Sequence, residues 1–104
     1  MIFIEIKKSK EFYNYLRVEG HAPGEFGKPG DNIFCAAVSI LTQTLLLSVT
    51  KRSIVEILNN QKGLLEYIIT KPDKQTNIEF EFMLIGLENL KKQNIQYISI
   101  EIRS

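Results

Sequence analysis

Residues 20–30 divide this chain in two, and they read GHAPGEFGKPG. Four glycines and two prolines in these eleven residues disfavour both helix and strand, because glycine is conformationally free and proline lacks a backbone N–H. We therefore predict a loop over residues 20–30, after which Asp31 or Asn32 caps the start of a helix. Cys35 then falls in the first turn of that helix.

The helix after this loop is predicted to run from about residue 33 to residue 60. Its first half is apolar almost all round, and its second half carries Lys51, Arg52 and Glu56. We expect the first half to be buried and the second half to emerge into solvent. Residues 33–49 come closest to a membrane span, but Ser, Thr and Gln interrupt them, so we interpret this run as a core helix.

Alternating apolar residues predict strands on both sides of this helix. Isoleucine alternates with Phe and Glu over residues 2–6, and a similar alternation follows over residues 12–19. We predict a hairpin from these two strands, joined by the polar residues 7–11. Residues 64–70 and 97–102 are predicted to form two further strands, since they are rich in Ile, Leu and Tyr.

A second helix is predicted between the last two strands. Thr76 and Glu79 have the spacing of a capping box, and the helix is expected to end near Lys91 and Lys92. Apolar residues follow the box at helical intervals, namely Phe80, Met83, Leu84, Leu87 and Leu90. The prediction is an α/β (α+β) fold with a four- to five-stranded mixed sheet and two helices, in the order ββαβαβ, as one domain over residues 1–104.

The composition excludes several classes of protein. Hydrophobic residues make up 44% of the chain and charged residues 24%, which is typical of a soluble globular protein. The net charge of +1 provides no strong attraction to nucleic acid or to an anionic membrane, and neither is expected to be a partner. One Cys and one His allow no internal disulfide and no structural zinc site, so we expect no metal or cofactor and a reducing, cytoplasmic location.

Cys35 and His21 are the candidate catalytic residues. A helix N-terminus carries unpaired N–H groups and the positive end of the peptide dipoles, which stabilise a thiolate and can bind the oxyanion formed when it attacks an amide. Histidine is the side chain that exchanges protons most readily near neutral pH, and His21 is the one histidine of the chain. Together they could act as nucleophile and general base.

Small polar side chains follow Cys35 along one side of the predicted helix. At 100° per residue, Ser39, Thr42 and Leu46 fall on the same stripe as Cys35. Ser39 could bind the sulfur, the imidazole or a substrate. Its hydroxyl could equally donate to a backbone carbonyl one turn back, which is common for serine inside a helix.

One segment of the chain contains Gly20, His21 and Ala22, then a glycine-rich loop, and then the sequence IFCAAVS at residues 33–39. This segment resembles the bacterial ribosomal-processing cysteine protease family. That family carries a Gly-His-Ala motif, a loop of about ten residues and a Cys-Ala-Ala-Val-Ser helix. The order of strands and helices also agrees with the family over the whole chain.

This resemblance implies an α/β homodimer that removes an N-terminal extension from large-subunit ribosomal protein number twenty-seven. It implies that Cys35 is the nucleophile and His21 the general base and acid. Many members have Asp three residues before the cysteine, where this chain has Asn32 and places Asp31 one residue earlier. Either residue could orient His21, and Gly30 belongs to a loop that would admit an extended peptide and close over it.

Other interpretations of the same residues remain open. A lone cysteine near the start of a buried helix is most often a small core residue. Lys7, Lys8 and Lys10 at the hairpin tip could make the chain a non-catalytic ribosome-assembly or RNA-binding module. A third alternative is a family member without activity that acts only as a protein-interaction dimer.

Overall fold

The computed structural model describes residues 1–20, 29–93, 95 and 97–104, without the side chains of residues 29–32. It contains a mixed five-stranded sheet and two α-helices, which confirms the predicted fold class. In chain order the elements are β1 (Ile2–Ser9), β2 (Phe12–Gly20), α1 (Pro29–Thr50), β3 (Val55–Gln61), β4 (Leu64–Ile69), α2 (Lys74–Gln93) and β5 (Ile98–Arg103).

The strands lie in the order β3-β4-β2-β1-β5. β1 pairs antiparallel with β2 and parallel with β5, while β4 pairs antiparallel with both β2 and β3. α1 therefore links β2 to β3 across β4, and α2 links β4 to β5 across β2 and β1. The α2 crossover places β5 parallel to its neighbour β1, which makes an otherwise antiparallel sheet mixed.

The second half of the long predicted helix is a strand instead. α1 ends at Thr50, and the N–H groups of Arg52 and Ser53 both donate to the Val49 carbonyl oxygen, at 3.0 and 2.9 Å. β3 follows this turn, because its β-branched residues favour an extended backbone and β4 offers it a partner. The charged side chains that suggested a solvated helix belong partly to the turn and partly to an edge strand.

Both helices pack on one face of the sheet, and a single apolar cluster fills the space between them. Ile2, Ile4 and Ile6 of β1 all point into this cluster, as the alternation predicted. The helices approach closely where Gly86 of α2 meets Leu41 of α1, because a Cβ at residue 86 would lie 2.9 Å from both Leu41 Cδ atoms. The inner face of the sheet is therefore the face that carries the core.

A β-bulge in β2 turns Tyr13 into the core. The pairing of β1 with β2 skips Asn14, so the residues before and after it change face. Tyr13 consequently stacks on Phe80 of α2 with ring centroids 5.0 Å apart, whereas the Tyr15 hydroxyl donates to Glu66 on the outer face. The alternation predicted for residues 12–19 holds only from Tyr15 onward.

Asp73 caps α2, and the predicted box between Thr76 and Glu79 is wrong. The Thr76 N–H donates to Asp73 Oδ1 at 2.9 Å, and the Asp73 N–H donates to Thr76 Oγ1 at 3.1 Å. This reciprocal pair is a capping box one turn earlier than predicted. Hydrogen bonding from the Thr76 backbone and hydroxyl lowers the pKa of Asp73.

Glu79 joins the two helices through a partly buried ion pair. Its carboxylate accepts hydrogen bonds from Arg52 Nη1 and Nη2, at 2.9 and 2.6 Å, and from the Ser48 hydroxyl. Burial acts to raise the pKa of Glu79, but the hydrogen bonds from Arg52 and Ser48 outweigh it and lower the pKa overall. The residue that was expected to cap α2 therefore fixes the end of α1.

α1 has one buried and one exposed apolar side. Residues Ile33–Thr50 are long and apolar enough to cross a bilayer by length and composition, with a mean hydropathy of 1.9 and 33% of the window buried in the fold. A core helix passes the same test, and the buried side of α1 matches that prediction. The exposed large apolar side chains of both helices are called here the apolar helix face, which consists of Ile33, Ile40, Leu47, Ile78, Phe82 and Ile85.

Candidate active site

Cys35 lies in the second turn of α1, not in the first turn as predicted. The helix begins at Pro29, which suits a first helical position because proline has a helical φ and needs no N–H partner there. Cys35 is therefore the seventh residue of α1, and the N–H groups without an intrahelical partner belong to the turn before it. The half-buried side chain packs against the core and also faces a pocket.

The other predicted site residues differ in how far the structure describes them. His21 lies outside the described residues. Gly30, Asp31 and Asn32 lie in the first turn of α1, within one to two turns of Cys35, and only their backbone is described. Ser39 is exposed one turn after Cys35 and lines the same pocket.

A pocket of about 500 Å³ opens beside Cys35. One wall is the predicted polar stripe of α1, since Cys35, Ser39 and Thr42 all line it, whereas Leu46 is buried in the core. The Thr42 hydroxyl donates to the Val38 carbonyl oxygen at 3.0 Å and is 2% exposed, so it satisfies the helix backbone. Ser39 is the residue of this stripe whose hydroxyl can reach a ligand.

The opposite wall of the pocket was not predicted. It is the β3–β4 hairpin, which contributes Asn60, Gln61, Lys62 and Gly63, followed by two leucines. The sequence signal for this hairpin was a run of polar residues ending in glycine, and Gly63 has a φ of 81°, a conformation that glycine adopts without strain. The predicted helix extends into this run, and that prediction is wrong, because the run forms the end of β3 and the turn to β4.

Gly20 fixes the end of β2 at the edge of this pocket. Its φ is 104°, and its N–H donates to the Gly63 carbonyl oxygen at 2.9 Å, which ties β2 to the β3–β4 turn. A Cβ at this position would lie 2.3 Å from the Met1 carbonyl oxygen. Glycine is therefore required here, directly before His21 in the sequence.

The lining of the pocket is mostly uncharged. Ile2, Val18 and Leu65 form an apolar floor, and Lys62 carries the single charge among the lining residues that the structure describes. Within the described ranges, no group of three or more His, Cys, Asp or Glu side chains could hold a metal ion. The site as described is suited to a neutral, extended ligand next to a thiol.

Residues 1–99 match the sequence model of the family described as cysteine protease Prp. The chain belongs to the Prp cysteine protease family. This match covers almost the whole chain, including β1 to α2 and the start of β5. The resemblance inferred from the Gly-His-Ala and Cys-Ala-Ala-Val-Ser segments is thereby confirmed, and the chain is a cysteine protease by family. A comparison with curated proteins gave no match.

Solved structures show the same fold. The ribosomal processing protease Prp from S. aureus, in complex with a covalently linked product peptide, superposes with a TM-score of 0.83 at 17% identity, covering 98% of this chain and 99% of that one. The protein SMU.848 from Streptococcus mutans superposes with a TM-score of 0.77 at 28% identity, covering 100% of this chain and 99% of that one. A second S. aureus Prp structure, with a substrate peptide, superposes with a TM-score of 0.81 at 15% identity, covering 98% of this chain and 99% of that one.

Proposed function

We propose that the chain is a cytoplasmic endopeptidase that removes an N-terminal extension from large-subunit ribosomal protein number twenty-seven, with Cys35 as nucleophile and His21 as general base and acid. The observation that carries the proposal is the Cys35 pocket in a chain of the Prp family. The S. aureus Prp complexes, with a substrate peptide and with a covalently linked product peptide, support a peptide as the ligand of such a site.

The proposed reaction has two steps. His21 accepts the proton of the Cys35 thiol, the sulfur attacks the scissile carbonyl carbon, and the C–N bond breaks to leave a thioester while the departing amine takes that proton from His21. His21 then removes a proton from a water molecule that attacks the thioester, the C–S bond breaks to release the new carboxyl group, and the departing thiolate takes the proton back from His21. No metal or cofactor is needed to balance either step.

The position of Cys35 changes how the nucleophile is activated. The helix dipole acts mainly within the first turn, so its effect on a second-turn cysteine is smaller than the sequence suggested. In our proposal, proton transfer to His21 is therefore the main source of the thiolate. Asp31 or Asn32 would orient the imidazole, and Gly30 would leave room for the peptide backbone.

Ser39 is proposed to bind the substrate or the imidazole. It follows Cys35 by one helical turn, faces the same pocket and is exposed. Its hydroxyl forms no hydrogen bond with another described residue, whereas the neighbouring Thr42 hydroxyl donates to the backbone. Of the two interpretations left open for Ser39, the structure favours a role toward a ligand.

The proposal is tested with a synthetic peptide that spans the mature N-terminus of the ribosomal protein. We expect the wild-type chain to cleave it, Cys35→Ala to give no product by mass spectrometry, and Cys35→Ser to retain little activity, because a hydroxyl is a far weaker nucleophile at neutral pH. Thr44→Ala, an exposed residue of the same helix, is the matched control and should cleave normally. Normal cleavage by a folded Cys35→Ala variant would refute the assignment of the nucleophile.

We also propose that the chain forms a homodimer through the apolar helix face. Phe82 and Ile85 are 70% and 67% exposed, and Ile40 and Leu47 are 64% and 65% exposed on the adjacent helix. Isolated exposed apolar residues are ordinary, but a continuous set on two neighbouring helices is typical of an interaction surface. Ile40 and Phe82 line the same interhelical groove, which makes the surface continuous.

Sedimentation analysis tests the dimer. Phe82→Glu should convert the dimer to monomer, whereas Phe3→Glu should not, because Phe3 is a comparably large exposed residue, 53% exposed, on the outer face of the sheet. An unchanged dimer in Phe82→Glu would exclude this surface. Binding of the wild type to lipid vesicles, abolished by the same substitution, would assign the face to a membrane instead.

The hairpin tip gives little support to the alternative of an RNA-binding module. The ammonium groups of Lys7 and Lys8 lie 4.6 and 4.5 Å from the ring centroids of Tyr15 and Tyr13. These contacts place two of the three lysines of the hairpin tip over aromatic rings, and the net charge of +1 gives the chain no strong attraction to phosphate. We therefore favour the protease over this alternative.

A further inference from the structure

A second β-bulge lies in the strand that faces Cys35 across the pocket. Ile57 of β3 pairs with Tyr67 of β4, and both point to the inner face, where the helices lie. The register then shifts, so that Leu58 has no partner opposite it. A bulge of this kind changes which later residues point to each face, and it is often found next to an active site.

The bulge places two adjacent asparagines on opposite faces. Asn59 pairs with Glu66 and donates from Nδ2 to Glu66 Oε1 at 2.6 Å on the outer face. Asn60 pairs with Leu65, which belongs to the core, so Asn60 points to the inner face and lines the pocket. Without the bulge, the alternation from Ile57 would have put Asn59 in the pocket.

Gln43 of α1 lines the same pocket as Asn60 but on its opposite wall. It follows Cys35 by eight residues, which corresponds to about 12 Å along a helix axis. Neither side-chain amide forms a hydrogen bond with another residue in the part of the chain that the structure describes. Each amide offers both donors and an acceptor, so both walls of the pocket present side chains that can bind a peptide backbone.

The distance between Cys35 and Gln43 along the helix axis fits an extended peptide. A strand rises by about 3.3 Å per residue, so about 12 Å corresponds to roughly three to four residues. The alternating N–H and C=O groups of an extended main chain match paired amides, and the apolar floor formed by Ile2, Val18 and Leu65 can take an uncharged side chain.

We infer that Asn60 and Gln43 bind the main chain of the substrate peptide from opposite walls of the pocket, with Gln43 about three to four residues from the scissile bond. The inference rests on the proposed function and adds to it a substrate class, namely an extended and uncharged segment recognised largely through its backbone. Asn59, held by Glu66 on the outer face, fixes the register that keeps Asn60 in place.

Steady-state kinetics with the peptide described above test this inference. Asn60→Ala and Gln43→Ala should each raise KM roughly three- to tenfold, with kcat changed less than about twofold, as expected for the loss of one neutral hydrogen bond remote from the reacting atoms. Asn60→Gln should restore much of the affinity, because it keeps the amide. Asn89→Ala and Gln93→Ala remove exposed amides from α2 and should leave KM unchanged.

Truncated peptides show whether the contact lies where we infer it. A peptide shortened to two residues on each side of the scissile bond should bind more weakly to the wild type and should no longer distinguish it from Gln43→Ala. An equal KM for Asn60→Ala, Gln43→Ala and the wild type on the long peptide would overturn the inference while leaving the protease assignment intact.

Binding of the long peptide in a Cys35→Ala background separates the two proposals further. If the wild type does not cleave the peptide, the proposed function fails. Weaker binding to Cys35→Ala/Asn60→Ala than to Cys35→Ala would still support the amide contact. Equal binding, or no binding to either variant, would overturn it.

Discussion

Replacing Tyr67 by Phe should stabilise the protein. Tyr67 of β4 is 0% exposed, and its hydroxyl has no hydrogen-bond partner among the residues that the structure describes. Burial, together with the nearby Glu79 carboxylate, raises the pKa of the Tyr67 phenol, so the neutral hydroxyl is the group that the core must accommodate. A buried polar group without a partner costs about 1–3 kcal/mol relative to its hydrated state in the unfolded chain.

The expected increase in the free energy of unfolding follows from the cost of burying the Tyr67 hydroxyl without a partner. Phenylalanine removes the hydroxyl and keeps the ring, so only a void of about one oxygen atom opposes the gain. We expect the free energy of unfolding to rise by about 1 kcal/mol, which corresponds to an increase in Tm of roughly 4–8 °C for a domain of about this size. Urea unfolding followed by circular dichroism at 25 °C measures the change, and the m-value should stay constant.

Tyr13→Phe is the matched control, because it removes the same hydroxyl from a buried tyrosine that has a partner. The Tyr13 hydroxyl donates to Glu81 Oε1 at 2.6 Å, so its loss should lower the free energy of unfolding by about 1 kcal/mol. A Tyr67→Phe variant that is as stable as the wild type or less stable would refute the reasoning, since it would show that the Tyr67 hydroxyl is satisfied in solution.

Two further substitutions test features that join elements of the fold. Glu79→Gln should lower the free energy of unfolding at pH 7 by about 2 kcal/mol, because Glu79 accepts hydrogen bonds from a charged Arg52. Since the folded-state pKa of Glu79 lies below its ordinary value of 4.5, the wild type should lose this contribution as the pH falls below 4.5 and through the folded-state pKa. The difference in the free energy of unfolding between the wild type and Glu79→Gln should therefore shrink over that pH range, as measured by urea unfolding at each pH. A constant difference would contradict the stabilising role of the ionised Glu79 carboxylate. Gly20→Ala should cost about 2–3 kcal/mol in urea unfolding, from a strained φ and a Cβ that meets the Met1 carbonyl oxygen. An unchanged stability would show that the start of β1 can move aside.

Most of the fold could be predicted from the sequence because it rests on local periodicity. The hairpin of β1 and β2, the fourth and fifth strands and the second helix each carry a pattern that their own residues determine. β3 was missed because the bulge at Leu58 interrupts the alternation of its side chains between the two faces of the sheet. No continuous alternating pattern therefore identifies these residues as a strand. Asp73 was missed as a cap because the Thr76–Glu79 spacing gave a competing signal one turn later.

The candidate site was predictable on one side of the pocket only. Cys35 and Ser39 share a helical stripe, so their relation follows from 100° per residue and needs no tertiary information. Asn60 could not be found in this way, since it reaches the pocket through strand pairing and a bulge, both of which depend on residues distant in sequence. The start of α1 at Pro29 was misplaced because Pro29 and Gly30 were counted as loop residues, although proline also suits the first position of a helix.

The direction of β1 has a practical consequence for anyone who modifies this protein. Ile2 lines the Cys35 pocket, and its N–H donates to the Tyr97 carbonyl oxygen at 2.7 Å, so a fluorophore attached at the start of β1 would lie beside this pocket. β5 runs parallel to β1 and ends opposite Lys7, which is five residues or about 17 Å further along the sheet. A label for kinetic or binding work is better attached near the C-terminal end of β5, which is remote from the Cys35 pocket.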